Sequence, residues 1–321
     1  MIARELVTLP SYAEEVAQGL TTQPKSLPCK LFYDATGSAL FEEITRLPEY
    51  YLTRTELKIL RERADEMAST VGTDVTIVEL GAGTAVKTCT LLESLSRRQI
   101  RVRYYPVDIS RAALHQAKER VESRCRQILV RPVVADFSDG FEFLRNIPDK
   151  KLVAYLGSSI GNFDPAAAVA MLTEINRQMT AQDMLLLGTD LVKAKSMLTA
   201  AYDDSEGVTE QFNKNILVRL NRELFADFDL ESFRHVALWN PRRSRMEIYL
   251  ESLRTQTVDL ALLQLRVHFA KGERMHTENS YKYTVATAKC MLERSGYVLT
   301  HTWFDQHKWF ALHLANVQPS A

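Results

Sequence analysis

Residues 75–90 have the sequence VTIVELGAGTAVKTCT, and this stretch decides the predicted fold. Val75–Leu80 is apolar and partly β-branched, which is typical of a buried parallel strand. Gly81, Gly83 and Thr84 then turn the chain, and Thr84 is the predicted N-cap of a helix that begins at the next residue. A strand, a glycine turn and a helix start in this order predict a ligand site at the carboxyl end of a parallel sheet.

The glycine turn allows three interpretations. The simplest is a tight turn with no ligand. A dinucleotide site requires Gly-x-Gly-x-x-Gly, and Val86 occupies the third glycine position. The form Glu-x-Gly-x-Gly-Thr, from Glu79 to Thr84, is similar to the first motif of the class I S-adenosylmethionine-dependent methyltransferases. Because glycine carries no Cβ, a nucleoside cofactor can approach the backbone closely at such a turn.

Strands and helices alternate after this turn. The predicted strands are Val102–Asp108, Ile128–Ala135, Leu152–Leu156 and Met184–Gly188, with helices between them capped at Ser110 and Asp164. A helix at Val285–Ser295 and a hairpin of Tyr297–Phe304 and Trp309–Val317 end the chain. The alternation predicts an α/β fold with a doubly wound, Rossmann-like parallel sheet. The last hairpin matches the antiparallel edge that closes a class I methyltransferase sheet.

The pattern changes between about residues 193 and 282. A helical run at 196–224 is followed by short alternating segments, which are typical of antiparallel strands. We therefore predict a second, α+β domain inserted into the first. The predicted S-adenosylmethionine-binding methyltransferase domain comprises residues 57–192 and 283–321, and the predicted substrate-binding domain comprises residues 1–56 and 193–282. We expect the substrate pocket between these domains.

The N-terminal segment contains two predicted helix starts. Ser38 is the predicted cap of a short helix in a stretch dense in aromatic residues. Thr53 is the predicted cap of a longer helix that ends at about Met67. Glu56 stands three residues after Thr53, which is the spacing of a capping box.

Composition limits the class of partner. The 321-residue chain has 40 basic and 40 acidic side chains, so it presents no broad basic surface, and we expect no nucleic-acid and no membrane partner. The four cysteines form no CxxC pair, and no apolar stretch has signal-peptide or membrane-spanning length. We expect a reduced, cytoplasmic monomer. The seven histidines lack zinc-ligand spacing, so no metal site is expected.

Polar residues at the ends of the predicted strands are candidate cofactor ligands. Asp108 ends the second strand, where a carboxylate can accept both hydroxyls of a ribose, although NAD would use the same contact. Asp136 and Phe137 follow the third strand and suit the amine and the ring face of an adenine. Lys87 can pair with the carboxylate of the methionine part. Its alternative is an ordinary surface lysine.

The stretch Gly157–Gly161 matches the Gly-x-Ser-x-Gly nucleophile elbow of hydrolases. An elbow leads directly into its helix, whereas residues 162–165 delay the helix here. We therefore interpret the stretch as the floor of a site at the end of the fourth strand, where Asn162 offers an amide to a substrate carboxylate.

Six stretches together carry a family resemblance. They are FYDATGSALFEEITRLPEYY, VELGAGTAVKT, YLGSSIGNF, LLGTDLVK, AAYDDSEGVTEQFNKN and MHTENSYKY. From about Lys25 to Leu314 the chain resembles the histidine-specific Nα-methyltransferases of ergothioneine biosynthesis. The resemblance implies transfer of three methyl groups from S-adenosylmethionine to the α-amine of L-histidine, which gives hercynine.

The resemblance also implies roles for individual residues. Those that fall where the family holds the cofactor are Gly81, Lys87, Asp108, Asp136 and Phe137. Those that fall where it holds the α-carboxylate region of histidine are Tyr50, Asn162 and Tyr202, while Glu278 and Ser280 fall where it contacts the imidazole. Residues implied near the amine are Tyr33, Phe41, Gly157 and Ser159.

The chemistry requires a neutral amine, because a protonated amine has no lone pair with which to attack. Tyr33 is the candidate catalytic residue that receives the amine proton, directly or through water, or that serves only as a hydrogen-bond partner. Aromatic faces can hold the cationic product by about 0.5–2 kcal/mol each. Three other functions stay open at this point: methylation of another amino acid or amine, an NAD-dependent dehydrogenase, and a non-catalytic S-adenosylmethionine-binding module.

Overall fold

The computed structural model describes residues 9–318 of the chain. The α-helices are α1 (Ala13–Thr21), α2 (Ala35–Ile44), α3 (Tyr51–Val71), α4 (Thr88–Ser96), α5 (Arg111–Arg124), α6 (Pro165–Arg177), α7 (Lys195–Tyr202), α8 (Val208–Leu224) and α9 (Val285–Arg294). The strands are β1 (Val75–Leu80), β2 (Val102–Asp108), β3 (Ile128–Val130), β4 (Val133–Val134), β5 (Lys150–Tyr155), β6 (Met184–Asp190), β7 (Phe233–Asn240), β8 (Arg245–Ser252), β9 (Gln256–Leu260), β10 (Leu265–Phe269), β11 (Arg274–Tyr281), β12 (Tyr297–Phe304) and β13 (Phe310–Val317).

The chain divides into two compact units, and each unit is formed by two separate segments of the chain. Unit 1 comprises Met1–Tyr50 and Ala194–Asn279, and unit 2 comprises Tyr51–Lys193 and Ser280–Ala321. The ends of the predicted domains at residues 1–8 and 319–321 lie outside the described residues. The cofactor and substrate roles assigned to the two domains stay predictions.

Unit 2 contains the predicted doubly wound sheet. Its strand order is β12-β13-β6-β5-β1-β2-β3, with β4 also paired to β2. β1, β2, β5 and β6 pair in parallel, whereas β13 pairs antiparallel with β6 and with β12. The α/β fold class and its antiparallel edge hairpin are therefore confirmed. The predicted third strand is broken into β3 and β4 at Arg131-Pro132, where proline has no N–H to donate to the ladder.

Apolar side chains cover both faces of this sheet. Alternate residues of β1 point to opposite faces, so Ile77 joins one buried cluster and Val78 joins the other. Helices α3, α4 and α5 contribute to the first cluster, and α6 and α9 contribute to the second. All six residues of β1 are buried, including the acid Glu79, as expected for a mostly apolar parallel strand.

Helix starts were predicted correctly where one side chain caps its own helix. The Ser110 hydroxyl accepts a hydrogen bond from the Ala113 N–H, and the Asp164 carboxylate accepts from the first N–H groups of α6. Both caps are confirmed. In the N-terminal segment Asp34, and not the predicted Ser38, caps α2 by accepting from the Gly37 N–H.

Two other predicted helix starts are wrong. The helix after the glycine turn begins at Thr88, because Ala85 has φ +55° and cannot continue from a cap at Thr84. Helix α3 begins at Tyr51, so Thr53 lies inside it and forms no capping box with Glu56. The predicted run at 196–224 is divided into α7 and α8 by residues 203–207.

Unit 1 is built from helices and small antiparallel sheets. One sheet has the order β11-β8-β7, and β9 pairs with β10 in a second. Its helices include α1, α2, α7 and α8, and α8 packs on both α2 and β7. The expected antiparallel strands after residue 230 are present. Among the described residues, no helix is long and apolar enough to cross a lipid bilayer.

A buried histidine in the large sheet makes stability depend on pH. His313 lies on β13, bonded at 2.9 Å and 3.0 Å to the hydroxyls of Thr189 and Thr302. Burial lowers its pKa to about 4, so the unfolded chain, with an ordinary pKa of about 6.5, binds more protons between these values. Stability therefore falls as the pH is lowered through this window, by about 1 kcal/mol between about pH 7 and 5.5.

We expect His313→Gln to remove this part of the acid sensitivity, measured as the fall in thermal unfolding midpoint from pH 7 to 5.5. His301→Gln, at an exposed histidine of the neighbouring strand, is the control and should keep the parent's fall. Equal acid sensitivity in parent and His313→Gln would contradict the assignment.

Candidate active site

The glycine turn and the end of β2 are held together by one carboxylate. The two oxygens of Asp108 accept hydrogen bonds from the backbone N–H groups of Gly83 and Ser110, each at 2.9 Å. The N–H groups of Gly81 and Ala82 donate to the Val107 carbonyl at 2.9 Å and 3.1 Å. A carboxylate has about four acceptor positions, and these contacts use two of them. Asp108 is therefore fixed in place and can still accept from ligand hydroxyls.

The backbone of the turn has room for a ligand. Gly81 and Gly83 have φ values of +67° and +51°, and a Cβ built on either would meet no atom within 4 Å. A residue with a Cβ rarely adopts a positive φ, so this backbone conformation favours glycine at both positions. Open space above both Cα atoms, beside a fixed carboxylate, fits a nucleoside group that approaches the backbone and presents its ribose hydroxyls.

Asp136 and Phe137 follow β4 at the same end of the sheet. Both side chains are half-buried. The Phe137 ring packs against Phe141 at a centroid distance of 5.4 Å and against the edge of Tyr155 at 6.4 Å. This packing fixes the orientation of the Phe137 ring. The predicted contact with an adenine stays a prediction.

Lys87 lies between the turn and α4, and a buried acid binds it. The Nζ of Lys87 donates to a Glu56 oxygen at 2.6 Å, and Glu56 is fully buried. Both oxygens of Glu56 also accept from the Gly157 N–H, at 2.8 Å and 3.0 Å. Glu56 thus connects α3, the cofactor turn and the end of β5. It also explains Gly188, because a Cβ there would collide with the Glu56 carboxylate.

We expect Glu56→Gln to destabilise the protein by about 1 kcal/mol, because the ion pair with Lys87 is replaced by a weaker hydrogen bond to a neutral amide oxygen. It should also weaken S-adenosylmethionine binding modestly, since Lys87 loses its anchor. Glu62→Gln, on an exposed part of the same helix, is the control. Thermal unfolding and calorimetric titration check both effects, and a Glu56→Gln protein that matches the control in both would disprove the anchoring role.

A second buried polar cluster lies at the end of β6. The Asp190 carboxylate accepts from the Tyr51 hydroxyl at 2.7 Å and pairs with Lys193 at 2.5 Å and with Lys282 at 2.8 Å. Lys282 also donates to the hydroxyl oxygen of Ser280 at 2.9 Å. Ser280, a predicted imidazole contact, therefore belongs to a fixed hydrogen-bonded group in unit 2.

The floor that was predicted after β5 also lies in unit 2. Asn162 ends the 3₁₀ turn Ser159–Asn162 and is half-buried. The Ser159 hydroxyl donates to the Leu156 carbonyl at 3.3 Å, and the Ser158 hydroxyl accepts from the Asp190 N–H at 2.8 Å. Ser159 thus donates to its own loop in the structure. The proposed contact of Asn162 with a carboxylate stays a prediction.

Unit 1 brings the predicted tyrosines into one aromatic group. Tyr33 and Phe41 have ring centroids 5.9 Å apart, and Phe41 and Tyr50 are 6.1 Å apart. Tyr50 and Tyr202 follow at 6.3 Å. Phe212 of α8 lies 5.9 Å from both Tyr33 and Phe41. Four of these contacts are edge-to-face, and the contact between Phe41 and Phe212 is tilted. Such contacts are favourable and restrict the rings to defined positions.

Glu278 lies on β11 in unit 1 and is half-buried. Burial raises the pKa of the neighbouring Cys29 thiol to about 12, and the negative charge of Glu278 contributes to this increase. The thiol is therefore unreactive at neutral pH. Glu278 and Ser280 occupy alternate positions at the end of one strand, so both side chains extend to the same face of that strand.

Comparison with known proteins identifies the family. The family described as histidine-specific, SAM-dependent methyltransferases matches residues 12–317. The chain belongs to this family. A histidine N-alpha-methyltransferase of Mycolicibacterium smegmatis is 45% identical over 303 residues, which cover 94% of this chain and 93% of that protein. The cofactor is S-adenosylmethionine, as the geometry of the glycine turn allows.

Two relatives of lower identity also match most of this chain. Ergothioneine biosynthesis protein 1 of Neurospora crassa is 30% identical over 309 residues, which cover 91% of this chain and 33% of that protein. The 4-dimethylallyltryptophan N-methyltransferase of Claviceps purpurea is 28% identical, with 92% of each chain covered.

Three residues of the buried polar clusters were missed by sequence reasoning. Glu56, Asp190 and Lys282 are buried, and each has at least one partner far away along the chain. Asp190 had a signal, because it is an acid at the carboxyl end of a strand that begins with an apolar run. Lys282 had a weaker sequence signal, because it lies between two tyrosines in the stretch YKY.

Proposed function

We propose that the protein transfers methyl groups from S-adenosylmethionine to the α-amine of L-histidine, three times, and so forms hercynine for ergothioneine biosynthesis. The observation that carries the proposal is family membership together with 45% identity to a histidine N-alpha-methyltransferase over nearly the whole of both chains. The Glu278 and Ser280 pair supports it, because these side chains offer two hydrogen-bonding groups to a ring with two nitrogens.

The cofactor supplies the electrophilic methyl group and a thioether leaving group when it is bound. The proposed task of the protein is to hold the two reactants in line. Asp108, fixed by two backbone N–H groups, accepts from the ribose hydroxyls. Lys87, anchored by Glu56, neutralises the carboxylate of the methionine part, and Asp136 and Phe137 hold the adenine.

Histidine is held by its carboxylate and its ring in this proposal. Tyr50, Asn162 and Tyr202 donate hydrogen bonds to the carboxylate, while Glu278 and Ser280 contact the imidazole. Tyr33 is 37% exposed, in contrast to its largely buried aromatic neighbours Tyr50 and Tyr202. In this proposal Tyr33 takes the amine proton or accepts a hydrogen bond from the amine.

A second candidate function is N-methylation of another aromatic amino acid. The specific support is the Claviceps relative, which matches over 92% of each chain and is named for a tryptophan derivative. Its 28% identity is well below the 45% of the mycobacterial protein, so histidine is the better-supported substrate.

Labelled S-adenosylmethionine and single amino acids separate the two candidates. We expect label in histidine, with the mono-, di- and trimethylated forms appearing in order by mass spectrometry. Labelling of tryptophan or of another amino acid with none in histidine would contradict the proposal. We also propose that the working unit is a cytoplasmic monomer without nucleic-acid or membrane partners. Light scattering of the purified protein checks the monomer.

A further inference from the structure

The carbonyl at the end of α7 is bound by a side chain from β7, within unit 1. Helix α7 ends at Tyr202, and the last carbonyls of a helix have no partner inside that helix. The Nε2 atom of His235 lies 2.8 Å from the Tyr202 carbonyl oxygen. A carbonyl only accepts hydrogen bonds, so Nε2 must carry a proton and donate it. His235 thus caps α7 at the residue whose ring packs against Tyr50.

The other nitrogen of this imidazole is bound by an amide whose orientation is fixed. Asn213 on α8 is almost fully buried, and its Nδ2 lies 3.0 Å from the Tyr249 carbonyl oxygen. That carbonyl can only accept, so the NH2 group of Asn213 faces it. The same Nδ2 lies 2.9 Å from Nδ1 of His235, and its second proton is available for this contact. Nδ1 is therefore an acceptor and carries no proton.

Together the two contacts define one state of the His235 ring, which is neutral with its proton on Nε2. A proton added at Nδ1 would face the NH2 group of Asn213, donor against donor. Burial lowers the pKa of His235 below its ordinary value. The bond to the carbonyl and the negative charges of Asp203, Glu210 and Asp204 oppose this change and do not reverse it. The ring is therefore neutral at neutral pH, as its hydrogen bonds require.

We propose that His235 is a positioning residue for the substrate, because it holds the end of α7 and so places Tyr202 for the carboxylate of the amino acid. This inference rests on the proposed function, in which Tyr202 donates a hydrogen bond to that carboxylate. Two contacts within unit 1 contribute to the position of Tyr202. Tyr50 restricts its ring, at a centroid distance of 6.3 Å, and His235 restricts its backbone.

The alternative is that His235 only stabilises the fold, and steady-state kinetics separate the two roles. A variant that merely folds less well contains less active enzyme, which lowers the apparent kcat and leaves KM unchanged. A displaced Tyr202 instead weakens a contact that the substrate makes in both the ground state and the transition state. Loss of such a contact raises KM for histidine with little change in kcat.

Two amide variants that differ by one methylene test the contact. In His235→Gln the amide extends about as far as imidazole Nε2, so its N–H can still donate to the Tyr202 carbonyl. In His235→Asn the shorter amide can accept from Asn213 but does not reach that carbonyl. We expect KM for histidine within about twofold of the parent in His235→Gln and raised by about fivefold or more in His235→Asn. The kcat and the Kd for S-adenosylmethionine should change by less than about twofold in both.

Asn221→Ala is the matched control for stability. Asn221 lies in the last turn of α8, and its side chain bonds the backbone of Phe228 at 2.8 Å and 2.9 Å. Its loss should lower the unfolding midpoint at least as much as His235→Asn does and leave KM for histidine unchanged. An equal KM in the parent and His235→Asn would overturn the inference. An equal rise in Asn221→Ala and His235→Asn would also overturn it, because the effect would then follow stability.

Tyr202→Phe shows whether His235 acts through Tyr202. This change removes the hydroxyl that is proposed to bind the substrate carboxylate. In a Tyr202→Phe protein, the second change His235→Asn should raise KM by less than about twofold, because the contact that His235 positions is already lost. If the two effects on KM simply multiply, His235 acts by another route and the inference is wrong.

A measurement on the unmodified protein does not depend on whether the Asn variant folds. The histidine rings of the protein are labelled with nitrogen-15, and the signals missing from His235→Gln identify His235 in the NMR spectrum. At about pH 7 we expect a protonated Nε2 and an unprotonated Nδ1. The opposite tautomer, or two protonated nitrogens, would overturn the inference alone.

The outcome for the parent enzyme separates the inference from the proposed function. A parent that methylates another amino acid in place of histidine would remove the proposed function, and KM for that amino acid would then test His235 with the same variants. A parent that methylates no amino acid would remove the proposed function and the inference together.

Discussion

Glu278→Ala is expected to lower kcat/KM for histidine by about 100-fold or more while changing the Kd for S-adenosylmethionine by less than about twofold. The carboxylate accepts hydrogen bonds only, so it selects a substrate that presents an N–H. A site built on substrate hydrogen bonds strongly rejects analogues that leave its polar groups unpaired. With Glu278 removed, this penalty disappears, and the ratio of kcat/KM for histidine to that for tryptophan should fall.

Two further variants separate charge and stability from specificity. Glu278→Gln keeps the shape and one acceptor oxygen, so histidine use should lie between those of the parent and Glu278→Ala. Glu251→Ala removes a carboxylate from β8 in the same unit, where it contacts Arg234 and Arg274. It should alter the unfolding midpoint without altering substrate preference. A histidine-to-tryptophan ratio in Glu278→Ala equal to that of the parent would remove Glu278 from the specificity role.

The parts of the fold that local sequence determines were predictable. A six-residue apolar run gave β1, because a strand buried on both faces needs no alternation. Ser110 and Asp164 were recognisable as caps because each satisfies N–H groups within three residues of itself. Strand β12 was predicted with the bounds that the structure has, since a glycine punctuates the chain directly before it.

The failures occur where a distant partner or an unusual backbone conformation overrides the local pattern. Glu56 has the spacing of a capping box, but its partners are Lys87 and the backbone of Gly157, which is 101 positions away. Thr84 has the side chain of a cap, but the left-handed conformation of Ala85 delays the helix to Thr88. Periodicity and spacing report neither the distant partners of Glu56 nor the backbone conformation of Ala85.

The candidate site also contains some residues that the local sequence pattern predicts and others that it does not. Gly81 and Asp108 were found from pattern alone, since a turn after a strand and an acid at the end of the next strand have a fixed relation in a parallel sheet. Tyr33, Tyr50 and Tyr202 lie in irregular segments and at a helix end, where no periodicity marks them. Only the family resemblance singled them out, and the structure then placed them in one aromatic group.

Asp108→Ala is expected to weaken S-adenosylmethionine binding by about 1.5–3 kcal/mol, which is about 10- to 150-fold in Kd. Two losses combine in this number. The ribose hydroxyls lose a charged acceptor, and the N–H groups of Gly83 and Ser110 lose the partner that fixes the turn. Because the turn positions the backbone against the cofactor, both losses act on affinity.

Ser110→Ala is the control that separates the site from the fold. The Ser110 hydroxyl caps α5 through the Ala113 N–H at 3.2 Å, and its loss should destabilise the protein by about 1 kcal/mol. The Ser110 backbone N–H remains, so Asp108 keeps both of its anchors. Calorimetric titration should therefore show near-parental affinity in Ser110→Ala and a large loss in Asp108→Ala. Equal affinities in the two variants would mean that Asp108 orders the chain without touching the ribose.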